Sequence, residues 1–169
     1  PFRGKEVISA PISSIEKVYA PRECLHRLNL AKRKDSLQKE ALNLVNLFSS
    51  SSGIELEDFG VHGSIALNMH VAESDIDLVV YGSLNFRKLE KTIDKLAEHR
   101  TLSYIVNNRL DAARRYQGRY LGKVFMYNAV RKPEEKQAQS GLLKYTPITS
   151  VRFTCTVKDD SEAMFRPAT

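Results

Sequence analysis

The sequence predicts a mixed α/β domain, with helices first, strands later and one short strand-helix-strand unit at its centre. Three observations carry this. Apolar residues recur at helical spacing over 35–48 and 86–97, the stretch 75–82 reads as a strong apolar strand, and 150–158 alternates with period two. At 169 residues the chain can form one domain with a real core, or one domain plus a small appendage. A content of 42% hydrophobic and 27% charged residues is ordinary for a globular protein. No apolar run approaches the ~20 residues that span a bilayer. The first residues, "PFRGKEVISAPISS", have no apolar signal core. Neither a membrane span nor a secretory signal is therefore expected. The chain lacks an initiator Met and stops at "FRPAT", so it reads as trimmed.

Residues 1–34 show little periodicity and are assigned to an N-terminal extension, with the main domain over 35–169. Within the extension, "PRECLHRLNL" opens a short helix with Pro21 in its first turn. "DSLQKEALNLVNLF" is the clearest early helix. Leu37, Ala41, Leu44, Val45 and Phe48 share one face, and Asp35 with Gln38 fits a capping box. "SSSSG" reads as a loop. "IELEDFGV" is expected as a strand leading to Gly63, "SIALNMH" as a short helix, "AES" as a turn and "DIDLVVYG" as the strongest strand. Asn85 is expected to cap "FRKLEKTIDKLAEHR", and "NRLDAARRYQG" to form a helix ending near Gly118. "KVFMYNAV" reads as a strand. In "SVRFTCTVK", Val151, Phe153, Cys155 and Val157 alternate with Arg152, Thr154, Thr156 and Lys158, as in a half-buried strand. Residues 137–169 are accordingly read as a β-rich C-terminal part.

Two cysteines, Cys24 and Cys155, lie far apart without CxxC or Cys-His spacing. Reduced thiols in a cytoplasmic protein are the expected reading. The net charge of +6 is uneven: between Asn107 and Lys136 stand eight Lys or Arg against three Asp or Glu. Such a segment suits RNA or another polyanion. On charge alone, a solvated helical face with Asp111 and Arg115 paired at i,i+4 is the plainer reading. Tyr116, Tyr120 and Tyr127 could stack a base from this segment, although core packing is the commoner use of such residues.

The chemistry concentrates in "HGSIALNMHVAESDIDLVVYGS", residues 62–83. Alternate strand residues share a face, so Asp75, Asp77, Val79 and Tyr81 point one way and Ile76, Leu78 and Val80 the other. The two Asp α-carbons are expected about 6.6 Å apart, within joint reach of one cation. Left unpaired, the carboxylates would raise one another's proton affinity. Oxygen ligands on a rigid strand suit Mg²⁺, which completes its shell with water and substrate phosphates. Gly63 and Ser64, at the turn into a short helix, offer close backbone approach to a phosphate and a hydroxyl donor. Other readings fit less well. An EF-hand loop would need an oxygen ligand at Val79 and Gly at Val80. A phosphatase of the haloacid dehalogenase type carries its Asp after an apolar strand, whereas here the apolar run follows the acids. His62 and His70 meet no metal-ligand spacing. Turn capping by Asp75 and Asp77 remains the plain alternative.

"HGSIALNMHVAESDIDLVVYG" resembles the signature of the DNA polymerase beta-type nucleotidyltransferase superfamily. That signature is Gly-Gly or Gly-Ser, about ten residues holding a short helix, then Asp-x-Asp entering a strand. With "VKDDSEAMFRPA", the chain is similar to archaeal predicted nucleotidyltransferases. The resemblance implies a small mixed sheet with helices packed on one side. It also implies that Gly63 and Ser64 hold an NTP triphosphate, and that Asp75 and Asp77 bind two Mg²⁺ ions during transfer of a nucleoside monophosphate to an acceptor hydroxyl. The superfamily usually adds a third carboxylate from a later strand. "KVFMYNAV" has none, with Met126 and Asn128 at the relevant places. Asp159, Asp160 or Glu162 are the remaining candidates, Asp159 or Asp160 as possible metal ligands. Without a third acid, the alternative is a catalytically weakened nucleotide- or RNA-binding module.

Overall fold

The computed structural model describes residues 10–135 and 148–165. Helix α1 (Pro21–Leu30) opens with Pro21 at its first turn, where a missing N–H costs nothing. Helix α2 (Ser36–Ser52) begins at the expected capping box: Gln38 N–H donates to the Asp35 carboxylate, and the Gln38 side chain accepts from Asp35 N–H. The serine run expected to be loop instead extends this helix to Ser52. Ser52 Oγ donates to Phe48 O and accepts from Ile54 N–H, while Ser49 Oγ donates to Ile54 O. The hydroxyls thus satisfy the groups exposed at the helix end, and Gly53 closes it in the left-handed region at φ 64°.

Strand β1 (Phe59–Val61), helix α3 (Gly63–Leu67) and strand β2 (Ile76–Tyr81) form the central unit. A single 3-10 turn, Leu56–Asp58, occupies the first part of the expected "IELEDFGV" strand. Helix α4 (Ser83–Glu98) starts upstream of the expected cap, with Gly82 at its N-cap position. Asn85 lies inside it, and its Nδ2 donates to Asp58 Oδ2 and Tyr81 O. Strand β3 (Ser103–Tyr104), helix α5 (Arg109–Arg114), strand β4 (Gln117–Tyr120) and strand β5 (Lys123–Val130) follow. Asn108 caps α5, and Arg115 ends it at φ 48°, so Gly118 belongs to β4 rather than to a helix end.

The fold is a mixed α+β arrangement around one five-stranded sheet of order β1-β2-β5-β4-β3. β2 and β5 are parallel, and the other neighbours are antiparallel. Parallel pairing of β2 with β5 brings together residues 49 apart in sequence, with Ile76 beside Phe125 and Leu78 beside Tyr127. Ile76, Leu78, Val80, Phe125 and Tyr127 face the core with Phe59 and Val61. α2 and α4 cover that face: Phe48 meets Phe125 edge-on at 5.6 Å, and Phe86 lies 5.6 Å from Tyr127. α1 supplies Cys24, Leu25 and Leu28 to the same core. Its start also crosses to the other side of β1, where a Cβ on Gly60 would come within 2.7 Å of Pro21.

The expected strand at 150–158 is not formed. Val151, Phe153 and Val157 are each more than 70% exposed, and no strand occurs within 148–165. The alternation is real, yet a strand needs a ladder partner, and none of the five strands pairs with this stretch. The described part of the proposed β-rich C-terminal region is therefore extended chain and turn, anchored only at its end. There Arg87 binds Asp160, Arg131 binds Glu162, and Phe165 is buried under the Arg131 guanidinium. Residues 137–147 and 166–169 of that region lie outside the described residues.

Candidate functional site

The site is built where β1 turns through α3 into β2. His62 N–H donates to Asp77 O, which locks the turn against β2. Gly63 follows at φ 63°, and its α-carbon faces the Asp77 side chain. A Cβ at this position would overlap Asp77 Oδ2 and lie 3.0 Å from Asp77 Cγ. Glycine is therefore favoured on two counts, the left-handed backbone and the Asp77 carboxylate packed where a Cβ would lie. Ser64 is the next residue. Its Oγ is buried and has no hydrogen-bond partner, and the same is true of His62 Nε2. Unsatisfied buried polar atoms are rare, because each carries the desolvation cost of its lost water. No side chain caps the start of α3.

After α3, Asn68 turns the chain at φ 55°, and a turn over 71–74 delivers Asp75 one residue before β2. In that turn Ser74 Oγ accepts from Val71 N–H. The turn is held from two sides. His70 Nε2 lies 2.7 Å from Asp35 Oδ2, and Lys123 Nζ donates to Ala72 O. His70 is therefore tied to the α2 cap.

Asp77 projects from the face opposite the core and is half-buried. Burial pushes its carboxyl above the ordinary carboxylate range and the nearby Asp75 pushes it further, while His62 opposes both. Gly63, Ser64, Asp75 and Asp77 are thus brought to one place by the fold. Sequence reasoning did not single out His62 for this site. Its position directly before the Gly-Ser pair was the available signal.

The third acid is not joined to this group. Met126 is the register partner of Asp77, and Asn128 that of Val79. Asp159 accepts from Ser161 N–H, Asp160 binds Arg87 and Glu162 binds Arg131. Among the described residues no three His, Cys, Asp or Glu side chains converge as a metal site.

The basic segment is divided by the fold. Arg115 pairs with Asp94 at 2.8 Å instead of with Asp111. Asp111 is buried and accepts from Asn107 N–H and Asn108 Nδ2. Lys132 binds Asp58 at 2.6 Å. Tyr127 is core, its hydroxyl donating to Arg115 O at 2.7 Å, so it cannot stack a base. A cavity of about 550 Å³ between α1 and α2, floored by Leu25, Leu42 and Val45, contains none of the four site residues. Among the described residues, no helix is long and apolar enough to cross a membrane.

No protein family, curated protein or solved structure matches this chain.

Proposed function

We propose that the chain is a Mg²⁺-dependent nucleotidyltransferase, moving a nucleoside monophosphate from an NTP to an acceptor hydroxyl. The observation that carries this reading is the contact of Gly63 with Asp77, whose carboxylate occupies the space a Cβ would take. It brings a glycine turn suited to phosphate directly against a carboxylate, with the unpartnered Ser64 Oγ beside it. The donor set fits Mg²⁺: two carboxylates, with the remaining positions open to water and phosphate oxygens. When bound, Mg²⁺ would neutralise the Asp pair and polarise the phosphoryl oxygens of the substrate.

The chain's own residues then divide the work. Gly63 leaves room for the Asp77 carboxylate to lie against the turn that would receive the triphosphate. Ser64 Oγ donates a hydrogen bond to a phosphate oxygen and so gains the partner it lacks. Asp75 and Asp77 would hold the ions, and the His70–Asp35 contact keeps the Asp75 turn in place. Labelled NTP, Mg²⁺ and a panel of hydroxyl acceptors test the reading. Label transfer is expected for the wild type and should fall at least a hundredfold for Asp75→Ala/Asp77→Ala; equal labelling would sink the assignment.

A second reading is favoured by one observation, Met126 beside Asp77 where the superfamily usually places an acid. It makes the chain a nucleotide- or RNA-binding module with weakened catalysis. Mg²⁺-dependent NTP binding without transfer to any acceptor would select it.

A further inference from the structure

The sheet face that carries Asp77 continues beyond the site. Extending the parallel register one residue upstream of Ile76 sets Asp75 beside Val124, and Val124 pairs with Arg119, which pairs with Ser103. Arg119 therefore stands in the Asp75 row two strands away, about 10 Å across the sheet. Gln117, Met126 and Asn128 remain partly exposed along it.

At the outer end of the row lies a cavity of about 450 Å³ bounded by Arg100 and Arg119, with Thr101, Ser103 and Tyr104 in its wall. No acidic residue lines it. The nearby Asp94 is already neutralised by Arg115 and accepts from Tyr104 Oη. Arg119 Nη1 donates only to Gly122 O, and the Arg100 guanidinium has no partner among the described residues. Arg100 also sits at φ 58°, a strained conformation for a residue with a side chain. Two arginines lining one cavity, without a carboxylate, match an anion with several acceptor oxygens.

We infer that this cavity binds a backbone phosphate of a single-stranded polynucleotide whose terminal hydroxyl is the acceptor at Asp75 and Asp77. The inference rests on the transferase reading for the role of the hydroxyl, while the phosphate contact stands on the cavity alone. A small acceptor would have no use for a cationic cavity two to three strands from the site. A strand crossing β5 and β4 reaches both.

The test is fluorescence anisotropy on the full chain with a short fluorescein-labelled oligouridylate, without Mg²⁺ or NTP, across a salt series. Arg100→Gly removes the guanidinium and relieves the positive φ, so it preserves the fold, and Arg119→Gln is combined with it. The double variant is expected to bind at least tenfold more weakly. Its plot of log affinity against log salt should flatten by about 0.7 for each phosphate that the arginines no longer neutralise. Lys91→Gln, exposed and outside both the cavity and the basic segment, should bind like the wild type. Unchanged affinity and slope in the double variant would overturn the inference. Competition by polyglutamate as effective as by unlabelled oligouridylate would also overturn it, pointing to an acidic protein. If binding behaves as expected but no nucleotide is transferred, the transferase reading alone fails. If a small acceptor is labelled equally by wild type and double variant, and neither binds the oligonucleotide, this inference alone fails.

Discussion

Asp77 is destabilising to the protein that contains it. Its carboxyl binds a proton more tightly in the folded state than in the unfolded chain, because burial and Asp75 disfavour its charge. Stability is therefore lost as pH rises from about 4 through the raised value. Asp77→Asn is expected to melt a few degrees above the metal-free wild type at pH 7, with the gap closing as pH falls towards 4. Thermal unfolding followed by circular dichroism checks this, and a wild type as stable as the variant at pH 7 would contradict it. Added Mg²⁺ should raise the wild-type midpoint and leave Asp77→Asn unmoved. Gly63→Ala tests the other half of the site. The left-handed backbone and the overlap with Asp77 together should cost about 1–3 kcal/mol, read from urea unfolding. Both residues were legible in the sequence through their spacing. The orphaned His62 Nε2 was not, because an unsatisfied atom is defined by neighbours distant in the chain.

Among the elements, α2 has a role beyond packing. Its cap residue Asp35 accepts from Gln38 N–H and also binds His70, on the segment that leads to Asp75. Although partial burial pushes the Asp35 carboxyl up, the Gln38 N–H and His70 outweigh that push and hold it below the ordinary range. Its stabilising contribution is thus present above the unfolded value of about 4 and lost as pH falls through the lowered one. Asp35→Ala should cost about 0.5–2 kcal/mol in chemical denaturation. It should also weaken Mg²⁺ binding, since the Asp75 turn loses one of its two ties. Unaltered Mg²⁺ affinity in a destabilised variant would confine Asp35 to capping. The periodicity of α2 and α4 and the Asp35–Gln38 box were visible in sequence because helices are made by near neighbours. β3 and β4 were not: "SY" and "QGRY" have little strand pattern, and Gly118 is required because Phe125 covers it from the adjacent strand.

At the scale of the molecule, the stretch 148–158 stands apart. It is exposed throughout and lies outside the sheet, while Phe165 is docked beyond it. Exposed backbone without ladder bonds is what proteases cleave first. Limited trypsin digestion is expected to cut after Arg152 and Lys158 before any site in α2, α4 or the sheet, with fragments read by mass spectrometry. Earlier cleavage within the helices would contradict the assignment of this stretch as unpaired.

By itself the sequence determined the class of fold, the apolar face of each long helix, the strand β2, and the Gly-Ser and Asp-x-Asp spacing within residues 62–83. Each of these is a pattern among neighbours, and a neighbour pattern survives in any correct fold. Only the tertiary structure decided which strands pair, that β5 sets Met126 in register with Asp77, and that "SVRFTCTVK" finds no partner. It also decided that Arg115 and Lys132 are spent on Asp94 and Asp58, whereas Arg100 and Arg119 share a cavity. Sheet pairing and ion pairing join residues tens of positions apart, and local periodicity does not encode which partner each will meet.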